Sequence, residues 1–143
     1  MKLYLFFFLF ITSTSVQQSG IWGTLAMVSV KKQFDPNFGM EIDKITVSPA
    51  VLAMQGKEIE VDGYIIPLTG KLEQNHIMLS KFPENMCFFC GKAGPESAMQ
   101  VFLAKGKKVA YTDKKVKFKG ILLINNNNDG SLLYTLDQAE VLK

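Results

Sequence analysis

Two cysteines stand two residues apart in Cys87-Phe88-Phe89-Cys90-Gly91, and they are the only cysteines of the chain. Thiolates at this spacing can aim both sulfurs at one point, as in half of a tetrahedral zinc site. They can also cycle as a redox dithiol or close into a small disulfide. A structural zinc site needs two further ligands, and the chain has no second Cys-x-x-Cys. His76 is the only histidine, while Glu84, Glu96 and Asp113 offer oxygen ligands. The candidate metal set is Cys87, Cys90 and Glu96, with His76 or Asp113 completing it and zinc as the metal expected. Glu96 follows Gly94-Pro95 at the mouth of an expected strand, where a carboxylate can ligate metal or accept backbone N–H groups; as an ordinary strand-start residue it would do neither. His76 reaches the cysteine loop only if its strand delivers it to the same end of the fold, and otherwise it faces solvent. Met86 and Met99 add a soft pair suited to copper(I), though methionine is also ordinary core filler.

Closure of the Cys87–Cys90 loop as a disulfide removes little chain entropy, roughly 2 kcal/mol, so it would act as a modest loop staple. A catalytic dithiol needs a lowered thiol pKa. Lys92 works in that direction, but Phe88 and Phe89 make the pocket apolar, and no strand–Cys-x-x-Cys–helix unit surrounds the pair. There is no glycine-rich phosphate loop, no Gly-x-Ser-x-Gly and no His-Glu-x-x-His, and a single histidine argues against a hydrolytic triad. The reading is a binding protein rather than an enzyme.

The elements that must position the cysteines are mostly strands. From Lys57 the apolar period becomes two: Ile59, Val61 and Gly63 alternate with Glu58, Glu60 and Asp62, and the strand ends at Pro67. The Gly63-Tyr64 pair predicts a bulge or a sharp coil of the kind barrels use to bend. Further strands are predicted over His76–Phe82, Ser97–Ala104, Lys115–Ile124, and Leu132–Leu136 continuing towards Leu142, with the cysteine loop from Pro83 to Pro95. Asn125–Gly130 reads as a hairpin turn. Upstream, Trp22, Leu25 and Val28 fit a short helix or turn, and Lys31–Met40 reads as loop. Ser48 and Pro49 open a second short helix that Gly56 ends in a left-handed cap. Five strands, one or two short helices and a long loop between the second and third strands predict a mainly β fold, an OB-like five-stranded antiparallel barrel, with an open antiparallel sheet or sandwich covered by the Trp22 segment as the alternative.

Residues 1–15 read as a signal peptide: Lys2, the apolar run Leu3–Ile11, then Ser13-Thr14-Ser15 before a cleavage point at Val16 or Gln17. Nine apolar residues are too few to span a bilayer, so no membrane anchor is expected after cleavage. Residues 16–143 form one OB-like domain, located in the periplasm or secreted, where an oxidising medium favours a disulfide unless metal holds the pair open. The formal net charge is +3, and all sixteen basic residues are lysine. Without arginine's planar fork, sequence-specific nucleic-acid binding is not expected. Lys105, Lys107, Lys108, Lys114, Lys115, Lys117 and Lys119 form a basic stretch read as a solvated outer face or a guarded sheet edge. Tyr64, Tyr111 and Tyr134 are the platforms a sugar in the barrel groove would find.

Trp22-x-x-Leu25, Gly56-Lys57-x-Ile59-x-Val61-x-Gly63-Tyr64-x-Ile66-Pro67-Leu68, Cys87-Phe88-Phe89-Cys90-Gly91 with Gly94-Pro95-Glu96, and Gly120-x-Leu122 resemble a family of exported bacterial proteins catalogued as domain of unknown function 3299. The resemblance runs through nearly all of the chain after the leader. It implies a small periplasmic protein of Gram-negative bacteria, some of whose relatives accompany zinc-linked transporter components, and it implies no catalytic residue. The partner expected is therefore an envelope transporter or another periplasmic protein. The competing reading is a protein-interaction module with a structural Cys87–Cys90 disulfide, and behind it a thiol–disulfide redox protein.

Overall fold

The structure, a computed structural model, describes residues 20–125 and 131–142. The expected leader and all but Asn125 of the expected turn at 125–130 lie outside the described residues. The chain enters through one helical turn, α1 (Ile21–Leu25), whose three-residue apolar spacing puts Trp22 and Leu25 on one buried face. The Trp22 indole donates to the Asp62 carbonyl at 2.6 Å, fixing the helix to the barrel.

Next come β1 (Val28–Asp35) and β2 (Met40–Val47), paired antiparallel along their whole length. The loop expected over Lys31–Met40 is thus corrected: Lys31–Asp35 belong to β1 and Met40 opens β2, leaving only 36–39 as a turn. That turn is held by the Asp35 carboxylate, which accepts from the Asn37 N–H at 2.8 Å, and by Gly39 at φ +63. The ribbon is largely exposed, so Lys31-Lys32-Gln33 needs no apolar alternation and hides the strand. Helix α2 (Pro49–Leu52) begins as expected, with Ser48 Oγ accepting from the Val51 N–H at 3.3 Å. It stops at Leu52, and a turn runs on to Gly56 in the left-handed region at φ +71.

Strand β3 (Glu58–Ile66) buries Ile59, Val61, Gly63 and Ile65 and leaves Glu58 and Glu60 exposed, following the period-two pattern. It is followed by β4 (Glu73–Gln74), β5 (His76–Ser80), β6 (Ala98–Leu103), β7 (Val109–Ala110), β8 (Val116–Ile124) and β9 (Tyr134–Leu142). β4 and β7 pair as a small separate ribbon, and the other five close a barrel in the order β3-β5-β6-β9-β8. Counted along the chain this is 1-2-3-5-4, the strand order of an OB barrel. Four seams are antiparallel, while β6 and β9 run parallel, so the barrel is mixed rather than wholly antiparallel. The parallel seam is possible because the connection between its strands is long, passing through β7 and β8.

β3 pairs with β8 up to Gly63 and with β5 from Tyr64. No register shift occurs at this switch, so of the two expectations the bulge is not found, and the glycine allows close approach: a Cβ on Gly63 would lie 2.6 Å from the Ser80 carbonyl oxygen. Register shifts occur instead opposite β9, where Gln138 adopts φ 50. Ile77, Leu79, Val101, Phe118, Leu122, Tyr134 and Leu136 fill the interior. Met99 is also fully buried, which makes it core and removes it from a copper-ligating set.

Candidate functional site

The cysteine loop leaves β5 at Ser80 and returns at Ala98. Ser80 Oγ accepts from the Phe82 N–H, and Lys81 N–H donates to the Ser97 carbonyl, so the loop is tied at its base. Two short 3-10 turns, Glu84–Met86 and Phe88–Cys90, follow each other, and Gly91 ends the second at φ 69. Three residues per turn eclipse positions i and i+3, so a turn starting at Cys87 brings both sulfurs to one side. They stand 3.9 Å apart, both as thiols.

The two thiols are not equivalent. Cys87 is 1% exposed, whereas Cys90 is open to solvent. The Cys87 thiol donates to the Cys90 sulfur, and the Cys90 thiol donates to the Glu84 carbonyl at 3.0 Å. The hydrogen bond with Cys87 pushes the Cys90 pKa above the ordinary thiol range, with desolvation and the charges of Cys87 and Glu84 acting the same way and Lys92 opposing. Phe88 and Phe89 meet edge to face beside them, with centroids 5.3 Å apart.

Cys90 also forms part of the wall of a cleft of about 490 Å³ that Tyr64, Glu84, Tyr111 and Asp113 line. Tyr64 comes from the end of β3 and Tyr111 from the segment after β7, where its N–H donates to the Leu72 carbonyl. Glu84 and Asp113 are therefore the candidate oxygen ligands that share this cleft with Cys90. Glu96 faces elsewhere: its carboxylate folds back over Gly94, where a Cβ would collide with it, and its charge acts on buried Tyr134. His76 opens β5 and pairs with Phe102, while the cysteine loop leaves from the other end at Ser80. Four residues of strand separate those ends by about 13 Å. The imidazole stacks on Phe102 and shares a 3.1 Å hydrogen bond with the Gln100 side chain.

The ligand set expected from the sequence is thus only partly assembled. Cys87 and Cys90 converge, Asp113 lies across the cleft, and Glu96 and His76 are directed to other neighbours. Among the described residues no three of the His, Cys, Asp and Glu side chains lie where they could share one metal ion. The aromatic wall of Tyr64 and Tyr111 was legible only as two isolated tyrosines; their common cleft depends on β7 pairing with β4, which no local pattern announces. No family model, no curated protein and no solved structure matches the chain.

Proposed function

We propose that this chain is an exported, non-enzymatic OB-barrel binding protein whose Cys87/Cys90 pair takes up a thiophilic divalent ion, zinc first, in metal handling or in support of an envelope transporter. The 3.9 Å separation of the sulfurs carries this reading. Two thiolates bound about 2.3 Å from one tetrahedral zinc stand about 3.8 Å apart. The observed spacing is therefore compatible with both thiolates binding one zinc ion. The other half would come from solvent, from Asp113 on closure of the cleft, or from a partner protein seated there. Membership of the exported family that the loop and strand residues resemble belongs to the same reading.

The raised pKa of Cys90 weighs against thiol–disulfide catalysis, which works through a lowered one. The proximity of the two sulfurs also favours a second reading, an interaction module stapled by a disulfide. It requires them to approach from 3.9 Å to about 2.05 Å.

Protein exported in its native host and purified without chelator separates the two when bound metal and free thiols are measured together. One metal per chain with both thiols reduced supports the metal site, and no metal with no free thiol supports the staple. Stoichiometric metal retained in the Cys87→Ala/Cys90→Ala double variant would sink the first reading.

A further inference from the structure

Six lysines of the basic stretch between residues 105 and 119 fall into two groups with different surroundings, and exposed Lys114 stands between them in the sequence. Lys115, Lys117 and Lys119 reach across to β3 and pair with Asp62 at 3.4 Å, Glu60 at 3.0 Å and Glu58 at 3.0 Å. These amines form a cross-strand ladder with compensated charge. Lys105, Lys107 and Lys108 are exposed and make no ion pair among the described residues. They ride on the turn between β6 and β7, which is closed by the Lys107 N–H donating to the Ala104 carbonyl and turned by Gly106 at φ +80.

An exposed aromatic ring lies beside that turn. Phe102 points outward from β6, is 39% exposed, and stacks on the His76 ring with centroids 4.1 Å apart and planes 11° apart. The Gln100–His76 hydrogen bond orients the imidazole against Phe102. Lys105 lies three positions after Phe102, which limits their Cα distance to about 10 Å. Lys108 precedes β7, which pairs with β4 just before His76.

An exposed ring on the outer face of the second and third barrel strands is thus followed, on the turn that leaves β6, by three exposed lysines that make no ion pair among the described residues. In OB barrels that face is the one on which oligosaccharides and oligonucleotides lie. We infer that this surface binds an acidic polysaccharide, one pyranose ring stacking on Phe102 while carboxylate or sulfate groups meet Lys105, Lys107 and Lys108. A glycan suits it better than single-stranded nucleic acid, which stacks successive bases on several platforms where this face presents one. Lysines act as point charges, and the chain has no arginine to grip phosphate by its fork. The inference is independent of the thiol pair, which belongs to the opposite end of β5.

The test is calorimetric titration with alginate at low ionic strength, with neutral dextran and an oligodeoxythymidylate of matched charge as comparators. Alginate binds, dextran does not, and the affinity falls with added salt. The Lys105→Gln/Lys107→Gln/Lys108→Gln variant loses about tenfold in affinity, whereas Lys115→Gln/Lys117→Gln/Lys119→Gln, with the same change in net charge, loses less than about threefold. Phe102→Ala loses about fivefold, with circular dichroism confirming the barrel and Phe102→Leu keeping the packing as a second check. Equal losses in the two triple variants would reduce the effect to net charge and overturn the proposal. So would failure of alginate to bind the wild-type protein, or oligodeoxythymidylate binding at least as tightly through Phe102 and the same three lysines.

Discussion

The Tyr134 phenol donates a 2.7 Å hydrogen bond to the Leu25 carbonyl, joining residues 109 apart in the chain. The bond locks the start of β9 to the end of α1. Leu25 O lies at a helix C-terminus, where carbonyls lack helical partners, so the phenol fills a vacancy that water cannot reach. Burial pushes the Tyr134 pKa far above its ordinary value, and the nearby Glu96 charge adds to this.

Tyr134→Phe should therefore cost about 1 kcal/mol at neutral pH, read by urea unfolding. The two proteins should also differ in alkali. The folded pKa is raised, so the stability from protonated Tyr134 is complete below the unfolded value of about 10 and is lost progressively above it. The difference between wild type and Tyr134→Phe should shrink as the pH climbs past that value. A constant difference would show that the phenol is not buried as described.

Two glycines make opposite predictions. At Gly63 a Cβ would strike the Ser80 carbonyl oxygen at 2.6 Å, and backbone cannot step aside within a closed barrel. Gly63→Ala should cost about 2 kcal/mol or more. At Gly94 the obstacle is the Glu96 carboxylate, the free end of a flexible side chain. Gly94→Ala should cost less than about 1 kcal/mol, and thermal unfolding of the pair would expose a reversed order at once.

In the reduced protein, iodoacetamide should modify Cys90 first and reach Cys87 only as the loop opens, because Cys87 is 1% exposed. The raised Cys90 pKa makes its alkylation slow at neutral pH and faster as the pH rises beyond the ordinary thiol value of about 8.5. Cys87→Ala removes the largest cause of that shift and should move the profile towards lower pH. A reactive thiolate near neutral pH in the wild-type protein would instead indicate a redox dithiol.

Zinc capture by two thiols displaces up to two protons, so affinity by chelator competition should fall by as much as about a hundredfold per pH unit on acidification. Cys90→Ala should abolish capture. His76→Ala should leave it unchanged, because the imidazole is engaged by Phe102 and Gln100 at the far end of β5. Loss of zinc in His76→Ala would mean that the loop and that strand end meet in the metal-bound protein.

The barrel strands were legible because each satisfies a local requirement. Ile59, Val61 and Ile65 must face one side and Glu58 and Glu60 the other, and a half-buried strand is the backbone that does this. Ser48-Pro49 announced α2 through capping chemistry that operates over three residues. The β1–β2 ribbon escaped notice because its outer half buries nothing, leaving Lys31, Lys32 and Gln33 free of any pattern. Cys87 and Cys90 could be seen to converge from their spacing alone, since one tight turn sets the distance between their sulfurs.

Which other side chains join them is a question of strand ends, and the sequence by itself is silent there. His76 and the cysteine loop share β5 yet lie at its two extremities, while Asp113 reaches Cys90's cleft from beyond β7. The direction of the β6–β9 seam and the sorting of lysines into paired and unpaired groups have the same origin. Each depends on which strand lies next to which, and local propensity determines a strand's two faces while only closure of the barrel selects its neighbours.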